Sequence, residues 1–132
     1  ELGFALKDIS ENLPSAFLIY RAELNDDTML FANNEMIKLT GCKDLDDFMD
    51  FCDRKFSNLI HPDERKKVEN SIWKQINSQS DGSNDYVKYR IATKSGEYKC
   101  VYDHGRIVDN ANYGKVFYVL IIDSRFIESH FE

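Results

Sequence analysis

The last third of the chain constrains the fold most, because three strand-length segments follow one another there across short connections. The segments span residues 86–93, 98–108 and 115–123 and are rich in β-branched and aromatic side chains. Residues 94–96 (Lys-Ser-Gly) join the first two segments as a hairpin-type connection, whose glycine can take a positive φ. Residues 109–112 (Asp-Asn-Ala-Asn) form the next turn. This pattern predicts three consecutive antiparallel strands.

An amphipathic helix and two shorter β-rich segments open the chain. The helical stripe consists of Leu2, Leu6, Ile9 and Leu13. Pro14 ends this helix, because the residue before a proline is disfavoured in the α region. Residues 16–22 and 28–32 read as strands, and the turn signal Asn-Asp-Asp at residues 25–27 lies between them. The two segments are therefore predicted to form a hairpin.

The middle of the chain predicts short helices. Asn33 or Asn34 can cap the first helix, which ends at Gly41 because glycine tolerates the left-handed conformation. A second helix is predicted over residues 44–52. A third begins at Pro62, which is favoured at a first helical position, and continues to about residue 78.

The order of elements is therefore helix, two strands, several helices, three strands and a final helix. It predicts an α+β fold, in which one five-stranded antiparallel sheet carries short helices on one face and flanking helices at both ends. We expect residues 1–13 to form the N-terminal flanking helix, residues 14–123 the domain, and residues 124–132 the start of a C-terminal linker helix.

Charge and hydropathy exclude several classes of partner. With 23 acidic and 17 basic residues the net charge is −6, which disfavours nucleic acid and an anionic membrane surface as partners. No apolar run approaches the ~20 residues of a membrane span. The three cysteines form no metal-binding pattern and are expected to be free thiols in a reducing compartment. We expect a cytoplasmic domain, and the sequence leaves open whether its parent protein is membrane-anchored.

Six short phrases occur in an order that resembles the PAS family. They are Leu13-Pro14-Ser15-Ala16, Phe31-Ala32-Asn33-Asn34, Leu39-Thr40-Gly41-Cys42, Leu59-Ile60-His61-Pro62-Asp63-Glu64, Tyr89-Arg90-Ile91 with Lys94-Ser95-Gly96-Glu97-Tyr98, and Asp123. The phrase LIHPDE at residues 59–64 is the most specific of them. The resemblance covers about residues 12–125 and implies a PAS fold with a sensory and dimerisation role. It also implies a covalently linked output domain, either a diguanylate cyclase of the GGDEF type or a histidine kinase.

No pattern predicts catalysis, a metal or a prosthetic group. Asp103 and His104 are strand neighbours that point to opposite faces, so they form no acid–base dyad. Cys52 lies in a phrase that resembles the flavin-binding photosensors of this fold, but the Asn and Gln that would hydrogen-bond the ring are missing. His61 stands only at the start of the long helix that carries the axial ligand in haem sensors. The acidic residues 44–53 lack the glycine and spacing of a calcium loop. We expect neither flavin nor haem, and an unknown small ligand remains possible.

The resemblance places a ligand pocket between the sheet and the helices. Its predicted lining is Phe31, Met36, Leu39, Phe56, Ile72, Ile76, Tyr89, Tyr102 and His104. Alternation along residues 98–104 puts the even-numbered side chains on one face and the odd-numbered ones, including Asp103, on the other. We assign the even-numbered face to the ligand, because its large side chains end in polar groups. The alternative that these side chains only pack on the helices of the domain, or on the terminal helix of a partner, stays open.

The two flanking helices predict how a signal is relayed. The stripe Leu2, Leu6, Ile9 and Leu13 is apolar surface that one domain need not bury alone, so we expect a homodimer through this helix. Asp123 matches the aspartate of the family's exit motif and is expected to root the C-terminal helix on the last strand.

Two other functions remain open. One is a purely structural dimerisation module with a filled core. The other is a cone-shaped α+β enzyme of the ketosteroid-isomerase-like type. Two arguments disfavour the enzyme: two strands precede the helices, and Asp103, the best-placed acid, alternates away from the assigned ligand face.

Overall fold

The computed structural model describes residue 3, residues 5–78 and residues 82–131 of the chain. The elements are, in chain order, α1 (Leu6–Asn12), β1 (Ala16–Arg21), β2 (Met29–Ala32), α2 (Asn34–Thr40), α3 (Leu45–Phe51), a 3₁₀ helix (Phe56–Leu59), α4 (Arg65–Ser78), β3 (Asn84–Ala92), β4 (Tyr98–Asn110), β5 (Gly114–Asp123) and α5 (Ser124–His130). The predicted order of helices and strands is confirmed. Leu2 lies outside the described residues.

All five strands form one antiparallel sheet in the order β2-β1-β5-β4-β3. The last strand therefore inserts beside the first, and β1 and β5 lie in the interior of the sheet. The helices between β2 and β3 cover one face, which we call the concave face, and the opposite face is called the outer face. The predicted α+β fold is confirmed.

The core lies between the concave face and the helices. Its largest fully buried side chains are Tyr89, Phe48, Phe117, Leu18, Met29, Met36, Leu59, Ile91, Ile121, Val101, Val116 and Val119. Burial along β1 alternates from Ala16 to Arg21, as a strand with one packed face requires. The 3₁₀ helix contributes Phe56, whose ring stacks on that of Tyr20 with a centroid distance of 4.1 Å.

Asn33 joins the first hairpin to the first covering helix. Its side-chain Oδ1 accepts hydrogen bonds from the backbone N–H groups of Phe17 (2.9 Å) and Met36 (3.0 Å), and its Nδ2 donates to the carbonyl of Ser15 (3.0 Å). The bond from Met36 is the N-cap bond of α2. Gly41 ends the same helix with a φ of 75°, so both predicted ends of α2 are confirmed.

The prediction that α4 begins at Pro62 is wrong by three residues. The helix begins at Arg65, and the three residues before it form a turn that is tied to β3. The backbone N–H of His61 donates to the carbonyl of Arg90 (2.9 Å), and the carboxylate of Glu64 accepts from the backbone N–H of Arg90 (2.9 Å). These bonds hold the turn before α4 against the backbone of β3.

The structure describes a short flanking helix near each end of the chain. α1 covers Leu6–Asn12 and has no buried residue, and Leu6 is 86% exposed. α5 begins directly after β5, where the side chain of Asp123 accepts a hydrogen bond from the N–H of Arg125 (2.9 Å) and so caps the helix. Among the helices described, none is long and apolar enough to cross a membrane.

Candidate functional site

A cleft of about 260 Å³ opens between α4, the 3₁₀ helix and the turn that joins β1 to β2. Tyr20 and Phe56 form a stacked pair in its wall, and Trp73 of α4 packs edge-on against Phe117 behind it with a centroid distance of 5.6 Å. Ile60 and Ile72 complete the apolar part of the lining. Flat aromatic walls of this kind can hold a small ligand by stacking and by burial of its apolar surface.

The mouth of this cleft is charged, with both signs present. Arg21 pairs with Asp26 at 3.5 Å, and the carboxylate of Asp27 accepts the backbone N–H of Ser57 (2.7 Å). Arg65 donates from Nε to the carbonyl of Ile60 (2.9 Å). These rim residues are therefore held in place by bonds within the protein.

A second polar group lies on the concave face of β3 and β4. Tyr89 donates a hydrogen bond from its hydroxyl to the Oδ2 of Asp103 (2.7 Å), and both side chains are buried. Asp85 is also buried, and its Oδ2 has no hydrogen-bond partner within the part of the chain that the structure describes. Burial raises the pKa of Asp85 to about 7. Burial and then the charge of Asp85 raise the pKa of Asp103 well above its usual range.

The predicted pocket residues divide into two groups. Met36, Phe56, Ile72 and Tyr89 are buried in the core, and Leu39 and Ile76 pack against it half-buried. Of these six, Phe56 and Ile72 line the cleft. Their placement between sheet and helices is as expected, and their contact with a ligand stays a prediction.

Three predicted pocket residues lie on the wrong side of the sheet. Tyr102 is 43% exposed and His104 is exposed, and both point to the outer face. Phe31 is also on the outer face, where its ring contacts Phe17 at a centroid distance of 6.2 Å. The prediction that these residues line a concave pocket is therefore wrong.

The alternation predicted for β4 is correct, but the assignment of its two faces was inverted. Val101 and Asp103 point into the core, with Gly105 and Ile107 further along the same face. Polar-tipped aromatic side chains tolerate solvent, so the even-numbered face needed no cover. The aliphatic residues Val101 and Ile107 were the sequence signal that could have identified the inward face. Asp85 was missed altogether, because a lone acid in a strand gives no sign of burial.

The outer face of the sheet carries an apolar groove of about 770 Å³ beside α1. Phe17, Ile19 and Tyr118 form its floor, and Leu6 and Ile9 of α1 lie at its edge. Ile9 is 45% exposed, so the apolar stripe predicted for this helix faces the groove without filling it. Leu13 is half-buried at the end of the helix.

The residues considered for metal or prosthetic groups are held by local contacts. Asp63 donates its backbone N–H to Nδ1 of His61 (3.1 Å), and the His61 ring packs on that of Tyr98 at 4.4 Å. Cys52 is buried, and burial raises the pKa of its thiol. Among the described residues, no group of three or more His, Cys, Asp or Glu side chains is arranged to hold a metal ion.

Comparison with solved structures identifies the fold. The PAS domain, in complex with ethanol, of a LuxR-family transcriptional regulator from Burkholderia thailandensis has a TM-score of 0.68 at 16% identity, with 92% of this chain and 99% of that one covered. A PAS domain from a two-component sensor histidine kinase has a TM-score of 0.64 at 13% identity, with 89% and 92% covered. An RNA-binding light-oxygen-voltage receptor has a TM-score of 0.66 at 17% identity. The match covers 90% of this chain but only 32% of that receptor.

Sequence comparison gives the same result for most of the chain. No curated protein matches it. The family profile described as PAS fold matches residues 29–122, which run from the start of β2 almost to the end of β5. That range contains the covering helices, the cleft wall at Phe56 and the buried pair on β3 and β4. The chain belongs to the PAS fold family.

Proposed function

We propose that the chain is a non-catalytic sensory module, which takes up a small ligand in the cleft beside Tyr20 and Trp73 and relays the event to a covalently linked output domain. The observation that carries the proposal is the cleft itself, which leads from solvent to aromatic residues of the core. The similar structures from a histidine kinase and a transcriptional regulator support a role in signalling.

The walls of the cleft connect it to the sheet. Tyr20 belongs to β1, and Phe117, which contacts both Tyr20 and Trp73, belongs to β5. Since β5 pairs with β1 on one side and β4 on the other, a ligand that moves Tyr20 acts on the centre of the sheet. Asp123 roots α5 on the last residue of β5, so a shift of that strand changes the direction in which the helix leaves the domain.

Native mass spectrometry of the purified chain tests ligand uptake. We expect a retained or added small molecule to be held by the wild type and lost from Trp73→Ala, which removes one wall of the cleft. Lys74→Ala is the matched control, because its side chain is the exposed neighbour on the same helix. Equal retention by both variants contradicts the cleft as the site. A protein that never retains a molecule favours the structural dimerisation module instead.

We also propose that a second copy of the chain covers the outer-face groove. The groove is apolar, and the exposed Leu6 and Ile9 of α1 are continuous with it. Tyr118 and Leu120, each at least two-fifths exposed, extend the apolar surface across the sheet. A two-fold related copy can place its own α1 on this surface, so that the same patch serves both subunits.

Sedimentation equilibrium tests the dimer. The double substitution Leu6→Asp and Ile9→Asp is expected to shift the protein to monomer, because it puts four charges into one isologous interface. Leu24→Asp is the matched control, since Leu24 is 74% exposed and lies outside the groove. A dimer that survives the double substitution refutes this interface, and a dimer lost with Leu24→Asp points to a different one.

The output domain is proposed to be a histidine kinase or a GGDEF-type cyclase. A fusion of the chain to either output tests the relay, with removal of α1 as the perturbation. Unchanged dimerisation and unchanged output reject the role of this helix.

One observation favours the enzyme alternative more than the sequence did. Asp103 points into the core and not away from it, so one of the two arguments against the enzyme no longer holds. The other argument stands, because β1 and β2 precede the helices and pair within the sheet as in a PAS domain.

A further inference from the structure

Two acidic side chains lie on neighbouring strands of the concave face. Asp85 of β3 pairs with Gly105 of β4, and Asp103 lies two residues along β4 from that glycine. Residues two apart on a strand share a face, so both carboxyl groups point toward the covering helices. Asp85 is 1% exposed and Asp103 is 4% exposed. Carboxyl groups are rarely buried to this extent unless they are paired with a cation.

The backbone opposite Asp85 accommodates its carboxyl group. A Cβ atom at Gly105 would lie 2.6 Å from Oδ2 and 3.2 Å from Cγ of Asp85, which is closer than atoms pack. The carboxyl group therefore occupies space that only a glycine leaves. Its Oδ2 has no partner among the described residues, whereas Asp103 receives the hydroxyl hydrogen bond of Tyr89.

The groups that surround the pair are neutral or acidic. Burial raises the pKa of Tyr20 of β1, and the acidic groups near it raise that pKa further: Asp103, Asp85, Asp27 in the β1–β2 turn and Glu69 in α4. On β5, the residues opposite Asp103 and Gly105 are the aliphatic Ile121 and Val119. Within the described part of the chain, no Lys, Arg or His forms an ion pair with either carboxyl group or lowers its pKa.

Two buried carboxyl groups with no compensating cation must keep protons, because an uncompensated charge in the core is costly. Burial raises the pKa of Asp85 to about 7, and that of Asp103 lies well above its usual range. The proton given up near neutral pH is thus the one on Asp85. Since the two groups interact, this ionisation belongs to the pair and not to one residue alone.

We propose that Asp85 and Asp103 form a proton switch in the concave core, which holds two protons below neutral pH and one above it. On ionisation the proton leaves Asp85 for bulk water and no other covalent bond changes. The resulting carboxylate has an oxygen without a donor, so water enters between β3–β4 and α4 to solvate it. Through this pair, the proton becomes a second input of the proposed sensory module. Only this signalling role rests on the proposed function; the ionisation itself does not.

The sign of the pH effect follows from the direction of the shift. The folded chain binds a proton at Asp85 up to about pH 7, whereas the unfolded chain releases it near pH 4. The contribution of protonated Asp85 to the free energy of unfolding is therefore complete below pH 4. It falls as the pH rises toward 7 and is constant above that. Between pH 5 and pH 8 the unfolding equilibrium constant rises about 100-fold through this group.

Urea unfolding at pH 5 and pH 8 measures this rise. Asp85→Asn keeps the shape of the side chain but cannot ionise, so it is expected to lose the roughly 100-fold component. Asp46→Asn changes the same charge at an exposed position of α3 and should keep the wild-type dependence. The three histidines are present in all these proteins, so their contribution to the pH dependence cancels when the variants are compared. An equal pH dependence in wild type and Asp85→Asn overturns the proposal.

Carboxyl ¹³C NMR of the wild-type chain tests the switch even if Asp85→Asn fails to fold. One aspartate resonance is expected to titrate with a midpoint near pH 7, and Trp73 emission is expected to change with the same midpoint as water reaches α4. Midpoints below pH 5 for every aspartate, or a titration that leaves Trp73 emission unchanged, overturn the switch. Neither result affects the ligand and dimer proposals, which have their own tests.

Discussion

Removal of the Asn33 side chain is expected to destabilise the domain more than any other single polar truncation near the first hairpin. Asn33→Ala eliminates the N-cap bond to Met36, which contributes about 1 kcal/mol. It also leaves the N–H of Phe17 and the carbonyl of Ser15 without their partners. A buried polar group that loses its only partner costs about 1–3 kcal/mol. Because both groups lie in a half-buried region, we take about 1 kcal/mol for each.

The sum is a loss of about 3 kcal/mol in the free energy of unfolding, against a total of about 5–15 kcal/mol for a domain. Urea denaturation followed by far-UV circular dichroism measures it. With a slope of about 2 kcal/mol per molar urea, the midpoint should fall by roughly 1.5 M. Asn34→Ala is the matched control, since Asn34 is the exposed next residue, and its effect should stay within about 0.5 kcal/mol. Equal midpoints for the two variants refute the reasoning.

Three further predictions concern the core and its thiols. Gly105→Ala forces the carboxyl group of Asp85 to rotate and is expected to cost about 1–3 kcal/mol, measured as a lower urea midpoint. Tyr89→Phe removes the donor to Asp103 and should cost about 1–3 kcal/mol; a neutral result in the same assay shows that this bond does not stabilise the fold. Cys100 is partly exposed and the other two thiols are buried, so a thiol-specific colorimetric reagent should label Cys100 first, and simultaneous labelling in native buffer contradicts this order.

Local signals predicted the covering helices well, because the residues that start or end them act on their own backbone. Asn33 caps α2 and Gly41 ends it in the left-handed conformation, as each residue type allows. The start of α4 was misplaced because Glu64, in the turn before the helix, bonds to Arg90, which is 26 residues away along the chain. A propensity for a first helical position cannot anticipate a partner on a distant strand.

The apolar stripe of α1 was also predicted by local sequence signals, whereas its surroundings depend on distant strands. The spacing of Leu6, Ile9 and Leu13 identified the helix and its exposed face. The groove that this face borders exists only because the paired strands β1 and β5 place Phe17, Ile19 and Tyr118 beside it. Surface that no element of one chain covers becomes visible as a candidate interface only after the sheet has formed.

The sequence by itself determined the order of the elements, the antiparallel connections and the alternation along each strand, because these depend on neighbours within a few residues. Alternation alone left open which face of β4 is buried, since a period of two is unchanged when the strand is turned over, and the tertiary structure decided it. The pairing of β3 with β4 brought Asp85 and Asp103 together, because its register sets Asp85 opposite Gly105. Burial is a property of what covers a side chain, and the helices that cover this pair come from a separate part of the chain.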